Sequence, residues 1–364
     1  MSGPLAGLRV LELGGIGPGP HAAMMLADLG ADVVRVDRPS GGLKVAPGQR
    51  DWMQRNRRLV AADMKTEEGM ATMRALFDVA DVVIEGFRPG VAERLGIGPA
   101  DVHATNPGLI YARMTGWGQH GPWAKVAGHD INYIGLTGAL GAIRKQDGAP
   151  VPPLNLLGDF GGGSMFLVFG IMAALYERQA SGQGQVVDAA IVDGTSTLSQ
   201  MVWGLMSGGA WVDKPASNLL DTACPFYDTY ACADGGYMAV GPLEPQFYAA
   251  FLQGLGLVTE DLPAQYDKSG WPVLRERFTE LFKSRTRDEW AKQFDGTDAC
   301  TTPVLSWTEA GNHAHLVGRE TFLEVDGVKQ VSPSPRFSRS KPEMPTAPPS
   351  TPTPLADVLT SWKR

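Results

Sequence analysis

The chain has 364 residues, 43% apolar and 20% charged, the composition of a folded protein too long for one ordinary core, so two domains are expected. A net charge of −7 argues against nucleic acid or an anionic membrane as a general partner and leaves room only for a local basic pocket. Cys224, Cys232 and Cys300 are too few and too scattered for a disulfide framework or a zinc site, which suits a reducing cytosol.

Met1-Ser2-Gly3-Pro4-Leu5 lacks a basic start followed by an apolar stretch, so no signal peptide is expected. Leu8-Arg9-Val10-Leu11-Glu12-Leu13 then reads as a strand, and residues 14–20 as a glycine- and proline-rich loop. Residues 21–29 read as a helix that Gly30 stops, and Asp32-Val33-Val34-Arg35-Val36-Asp37 as a second strand. The pattern recurs with a helix over 67–79, a strand over 81–87, a short helix over 99–104, and strands over 109–114 and 186–192. Strands separated by helices imply a parallel sheet covered on both faces. The first loop tempts a dinucleotide reading, but Gly15-x-Gly17 is followed by Pro20 where a third glycine belongs, so a tight turn is the better reading.

The longest apolar run, residues 165–176, falls short of the roughly 20 residues a membrane span needs and reads as a buried helix. A helix from Asp193 to about Ser207 leads away from this layer. After Leu220 the character changes to a strand pair, 227–232 and 236–240, around an Ala233-Asp234-Gly235 turn. Helices over 246–255, 271–282 and 287–294 follow, with Leu274, Phe278 and Leu281 on one face. The tail from Val331 is an extended strap rich in Pro and Ser, closed by a helix over 354–362.

Two motifs carry the chemistry. Gly128-His129-Asp130 offers an imidazole in a turn. Gly158-Asp159-Phe160-Gly161-Gly162-Gly163-Ser164 puts a carboxylate just before a glycine run that opens the apolar helix. A neutral base, a carboxylic acid and a helix N-terminus are the parts that move a proton on and off a carbon acid and hold the enolate between. Plainer readings stand beside each: His129 as a structural turn residue, Asp159 as an N-cap, and Glu244 before Pro245 as a first-turn helix acid. His120 reads as a loop residue. His313 and His315 are two apart, but no Cys or acidic cluster joins them, so no metal is expected.

The chain resembles the family III CoA-transferase superfamily. The residues that carry this are Gly3-Pro4-Leu5-x-Gly7-Leu8-Arg9-Val10, Gly30-Ala31-Asp32-Val33, Glu85-Gly86-Phe87-Arg88-Pro89-Gly90 and Tyr111-Ala112-Arg113-Met114-Thr115-Gly116-Trp117-Gly118-Gln119. Gly128-His129-Asp130-Ile131-Asn132-Tyr133, Gly158-Asp159-Phe160 and Val240-Gly241-Pro242-Leu243-Glu244-Pro245-Gln246-Phe247-Tyr248 complete the set. His129 and Glu244 chiefly point to its alpha-methylacyl-CoA racemase branch.

That resemblance implies an α/β fold. A large Rossmann-like parallel-sheet domain (1–190) binds CoA, and a linker helix (191–222) leads to a smaller α+β domain (223–329). A C-terminal return (330–364) follows, with two crossing segments and two chains interlocked as a homodimer. It implies a 2-methyl-branched acyl-CoA substrate inverted at carbon 2, with His129 serving the (S) face, Asp159 the (R) face, and Glu244 orienting His129 from its own or the partner chain. Backbone N–H groups of 159–164 would hold the enolate oxygen. CoA contacts would fall on Arg38, Ala62, Asp63, Met64, Lys65, Gly86, Phe87, Arg88, Arg94, Gly128, Asp130, Ile131, Asn132 and Tyr133. The Arg55-x-Arg57-Arg58 cluster is a further candidate for the anionic coenzyme, with solvated surface charge as its alternative. Met201 and Met206 could line the acyl site, although helix packing is the plainer reading. CoA is part of the substrate, and neither a metal nor a redox cofactor is needed. The runner-up is a CoA-transferase with Asp159 as a nucleophile forming a mixed anhydride. A non-catalytic acyl-CoA carrier comes last.

Overall fold

β-Branched runs build the central sheet. β1 (Arg9–Leu13), β2 (Asp32–Asp37), β3 (Arg57–Ala61), β4 (Val82–Glu85), β5 (Ile110–Thr115) and β6 (Val186–Ala190) pair in parallel, in the order β3-β2-β1-β4-β5-β6. Leu11 lies between Val34 and Val83, and Val10 between Val33 and Val82, which places one apolar row on each face. The computed structural model describes residues 2–39, 50–145 and 148–363.

The helices that follow in chain order are α1 (Pro18–Asp28), α2 (Glu67–Phe77), α3 (Val91–Arg94), α4 (Pro99–His103), α5 (Asp130–Leu136), α6 (Ala139–Ala142), α7 (Met165–Ser181), α8 (Ile191–Leu198) and α9 (Gln200–Ser207). On one face Ala22, Ala23 and Leu26 of α1 and Leu167 and Ile171 of α7 pack on Val10, Ile84 and Ile110. On the other, Met73, Leu76 and Phe77 of α2 meet Leu11, Val34 and Val83. Trp362 of the C-terminal helix (Leu355–Trp362) is buried there too, and its indole N–H donates to Asp32 Oδ2 at 2.8 Å.

The chain divides into two units, Met1–Ala139 with Pro153–Gln200 and Glu320–Arg364, and Leu140–Pro152 with Met201–Arg319. In the second, β7 (Asp228–Ala231), β8 (Tyr237–Val240) and β9 (Thr301–Val304) form an antiparallel sheet. α10 (Pro245–Leu255), α11 (Trp271–Phe282) and α12 (Arg287–Phe294) join it in an aromatic core of Phe226, Tyr230, Phe251, Phe278, Phe282, Trp290 and Phe294.

Several boundaries depart from expectation. α1 begins at Pro18 rather than residue 21, because proline's fixed φ suits the first helical position and Gly17, at φ 72°, turns the chain into it. β6 yields to α8 at Ile191, and the helix expected to Ser207 breaks at Ser199 into α8 and α9. β3 was hidden by its arginines. The apolar helix is not buried all round: Leu167, Ile171, Ala174 and Leu175 face the core, while Phe169 and Tyr176 are 72% and 78% exposed. It also continues a preceding helical segment, so Leu156–Ser181 runs 26 residues, long and apolar enough to cross a membrane by length and composition alone. Its core-packed face marks it as a sheet-covering helix.

Candidate active site

Strand order reverses between β1 and β4, and open parallel sheets bind ligands beyond the carboxyl ends of their strands at such a point. A cleft of about 390 Å³ opens there. The loops after β1 (Gly14 to Gly17), β4 (Gly86 to Pro89) and β5 (Gly116, Trp117) form its walls, and Gly128, His129, Tyr133 and Asp159 close it.

His129 is the N-cap of α5, in extended backbone, and its own N–H donates to Asn132 Oδ1 at 3.0 Å. Its carbonyl accepts the first turn of the helix, which leaves the imidazole exposed at the cleft. The residue before it is pinned by aromatics. The Tyr133 hydroxyl donates to the Gly128 carbonyl, and Trp117 packs edge-on against Tyr133 with ring centroids 4.7 Å apart. A Cβ on Gly128 would lie 2.7 Å from the Tyr133 ring, and one on Gly116 2.0 Å from it, so both positions need glycine. Burial pushes the Tyr133 phenol above its ordinary value, the Asp159 charge adds to this, and Arg88 opposes it.

Asp159 lies in a π-helical segment, Leu156–Ser164, that runs into α7. Such segments recur at functional sites because the extra residue per turn redirects side chains. Glycines allow neighbours to press close here. A Cβ on Gly162 would come within 2.3 Å of Thr195 Oγ1, and one on Gly194 within 1.9 Å of the Gly162 carbonyl oxygen. His21 of α1 holds the far end, with Nδ1 2.7 Å from Ser164 Oγ and its ring stacked on Phe160 at 4.3 Å. Burial, then the charges of Arg55 and Arg57, lowers the His21 pKa and favours the neutral ring.

The Asp159 carboxyl is half-buried and raised above the ordinary aspartate value, chiefly by burial. Asn155 Nδ2 donates to its Oδ2 at 3.3 Å and draws it back, the Asp130 charge raises it further, and the His129 charge lowers it. Gly17 closes the other side: a Cβ there would sit 3.3 Å from Asp159 Oδ2.

Two expectations for this segment need correction. The cap is Asn155, not Asp159, which stands in the first turn. Nor are its first N–H groups free for an enolate oxygen. That of Asp159 donates to Asp130 Oδ1 at 2.7 Å, and that of Phe160 donates to the Asn155 carbonyl at 3.2 Å.

Of the residues singled out in the sequence, Gly86, Phe87, Arg88, Gly128, His129, Tyr133 and Asp159 share this cleft. Arg38, past β2, and Lys65, past β3, are exposed, as are Arg94 on α3 and Ile131 and Asn132 on α5. Ala62 is buried, Asp63 Oδ1 accepts the Lys65 N–H at 3.0 Å, and Met64 is half-buried. Glu244 belongs to the second unit, as the exposed N-cap of α10 with no side-chain cap bond, so it is not a first-turn acid. His120 is an exposed turn residue, and among the described residues no group of three or more His, Cys, Asp or Glu could hold a metal.

The arginine cluster is not a coenzyme site. Arg55 and Arg57 are 1% and 6% exposed, with Arg55 paired to Asp28 and Arg57 to Glu12 at 3.2 Å. Arg58 pairs with Asp32 at 2.6 Å. The sequence made the loop of Gly14 to Gly17 a tight turn rather than a binding loop and gave no site role to Trp117 or Ile191, yet all of these line the cleft. The strand-end rule could have found them once the strand order was known.

The family model for CoA-transferase family III matches residues 5–352. The alpha-methylacyl-CoA racemase of Mus musculus is 46% identical over 345 residues, covering 94% of this chain and 88% of the mouse protein. That of Homo sapiens is 44% identical over 331 residues, covering 91% of this chain and 85% of the human one. Among solved structures, a CAIB/BAIF family protein from Brucella suis superposes with a TM-score of 0.81 at 27% identity, covering 100% of both chains. By this match, which takes in nearly the whole chain, the protein belongs to CoA-transferase family III.

Proposed function

We propose that this chain is an isomerase that interconverts (R)- and (S)-2-methylacyl-CoA thioesters by two-base proton exchange at carbon 2. The observation that carries it is His129 and Asp159 lining one cleft, with Asp159 raised by burial so that it holds a proton more readily than a free aspartate. The identity to two racemases supports the same reaction. In one direction the neutral imidazole of His129 takes the carbon-2 proton and leaves an enolate. Asp159, entering as the acid, then delivers its proton to the opposite face. In the other direction the two exchange roles. The chemistry needs neither a metal nor a redox cofactor.

Arg88 stands at the cleft to meet the anionic coenzyme, with Arg38 and Lys65 exposed past β2 and β3. Arg38→Ala weakens CoA binding about tenfold, the scale of one charge-assisted contact, as titration calorimetry with CoA measures. An unchanged dissociation constant removes Arg38 from the site. Glu244 orients the His129 imidazole, from its own chain or a partner's. Met165, Phe169, Met172 and Tyr176 form an exposed apolar row along α7, and exposed apolar rows of this kind mark interaction surfaces. A second copy of the chain covers it in a homodimer. On α9 Met201 is exposed and Met206 half-buried, and none of the helix's residues is fully buried.

The test is incubation in deuterated water with a single 2-methylacyl-CoA and no acceptor acid. Deuterium enters carbon 2 and the enantiomers equilibrate. Turnover that requires a second carboxylic acid, with a covalent acyl adduct on Asp159, would instead establish CoA transfer.

A further inference from the structure

The resemblance gives Asp130 only a coenzyme contact, but its carboxylate is engaged inside the protein. Oδ1 accepts the Asp159 N–H at 2.7 Å, and the Gly158 N–H also donates to this carboxylate. The approach is close enough that a Cβ on Gly158 would lie 2.3 Å from Asp130 Oδ1 and 2.9 Å from Ile134 Cγ2, one turn farther along α5. Asp130 directly follows His129, and Asp159 directly follows Gly158. A single short side chain therefore joins the backbone that carries the imidazole to the backbone that carries the carboxyl group, across 29 residues of sequence.

We propose that Asp130 is a positioning residue for the proton exchange: its carboxylate fixes the Asp159 backbone and so sets the spacing between the Asp159 carboxyl group and the His129 imidazole. This rests on the two-base reading above. A carboxylate suits the task because it only accepts, and its two oxygens match two adjacent N–H donors. One methylene is also the right length, since glutamate would push the two backbones apart. The same carboxylate places a negative charge near Asp159, where the other groups facing it are His129 and Tyr133 from α5 and Asn155 from its own segment. From the β1–α1 loop it is the Gly17 backbone that lies against Asp159.

The experiment compares Asp130→Ala and Asp130→Asn with wild type, using kcat and KM for a 2-methylacyl-CoA, pH–rate profiles, and circular dichroism to verify folding. Asp130→Ala lowers kcat about 100-fold, the scale of a misplacement of about 1 Å, and leaves KM within about threefold. Asp130→Asn keeps an oxygen for the Asp159 N–H and recovers most of kcat. Its acid limb moves to lower pH, because the charge that held the Asp159 proton is gone. Wild-type kcat in Asp130→Ala, a rise in KM alone, or a folded Asp130→Asn no better than the alanine variant overturns the proposal. His129→Ala and Asp159→Ala run alongside separate the two readings. If both keep wild-type turnover, the two-base reading fails and takes this role with it. If both are crippled while Asp130→Ala is not, only the positioning role fails.

Discussion

His129→Ala and Asp159→Ala each lower racemisation by about 10²–10⁴-fold, the contribution of a positioned general acid or base. CoA affinity stays nearly unchanged, because both side chains meet the acyl carbon rather than the coenzyme. Neither substitution opens a core: His129 is exposed and Asp159 half-buried, so loss of activity reports chemistry rather than unfolding. The pH profile carries a sign. Burial disfavours the Asp159 anion and raises its pKa. In the direction where Asp159 is the base, the acid limb therefore lies at higher pH than a free aspartate would give. In the direction where it is the acid, the proton is retained to higher pH. Initial rates from each enantiomer across pH 4 to about 8 check this, and identical limbs at the ordinary aspartate value contradict it.

Arg57→Ala destabilises the first unit by about 1–3 kcal/mol, the scale of leaving one buried acceptor oxygen of Glu12 unsatisfied while Arg35 still neutralises its charge. The Glu12 carboxylate is 1% exposed and lies between Arg35, whose Nη1 donates at 2.6 Å, and Arg57, whose Nε is 3.2 Å away. Burial pushes the Arg57 guanidinium below its ordinary pKa while Glu12 opposes the shift. Arginine stays charged even so, and an arginine-free Glu12 face cannot reach water. The double variant Glu12→Ala/Arg57→Ala costs less than the two single losses added, since it leaves neither of these charges facing a vacated site. Urea unfolding followed by circular dichroism measures both, and an Arg57→Ala change below about 1 kcal/mol contradicts the pairing. The same arginines tie down the cleft loop: Arg35 Nη2 donates to the Gly15 carbonyl at 3.1 Å, and Arg57 Nη2 donates to the Pro20 carbonyl.

What the sequence made legible follows from how local each signal is. The alternation of Val10-Leu11, Val33-Val34 and Val82-Val83 with helical stretches is a local pattern, and the six-stranded parallel sheet follows it. β3 was not legible because it opens with Arg57 and Arg58, whose burial depends on Glu12 and Asp32 from other strands. The same pairing turned an apparent basic patch into a core network. His129 and Asp159 stood out through their glycine-flanked motifs, whereas the bond from Asp159 to Asp130 joins segments far apart in the chain and leaves no trace in spacing. The π geometry of Leu156–Ser164 was equally hidden, since it arises where α1 and α8 press on glycines.

The central claim is that the His129 imidazole and the Asp159 carboxyl group work on opposite faces of one carbon. Deuterium wash-in at carbon 2, followed separately from pure (R)- and pure (S)-2-methylacyl-CoA in His129→Ala and in Asp159→Ala, tests it most directly. The account predicts that His129→Ala exchanges only the (R) substrate and Asp159→Ala only the (S). Survival of the same enantiomer in both variants, or exchange of both at the wild-type rate in either one, contradicts it.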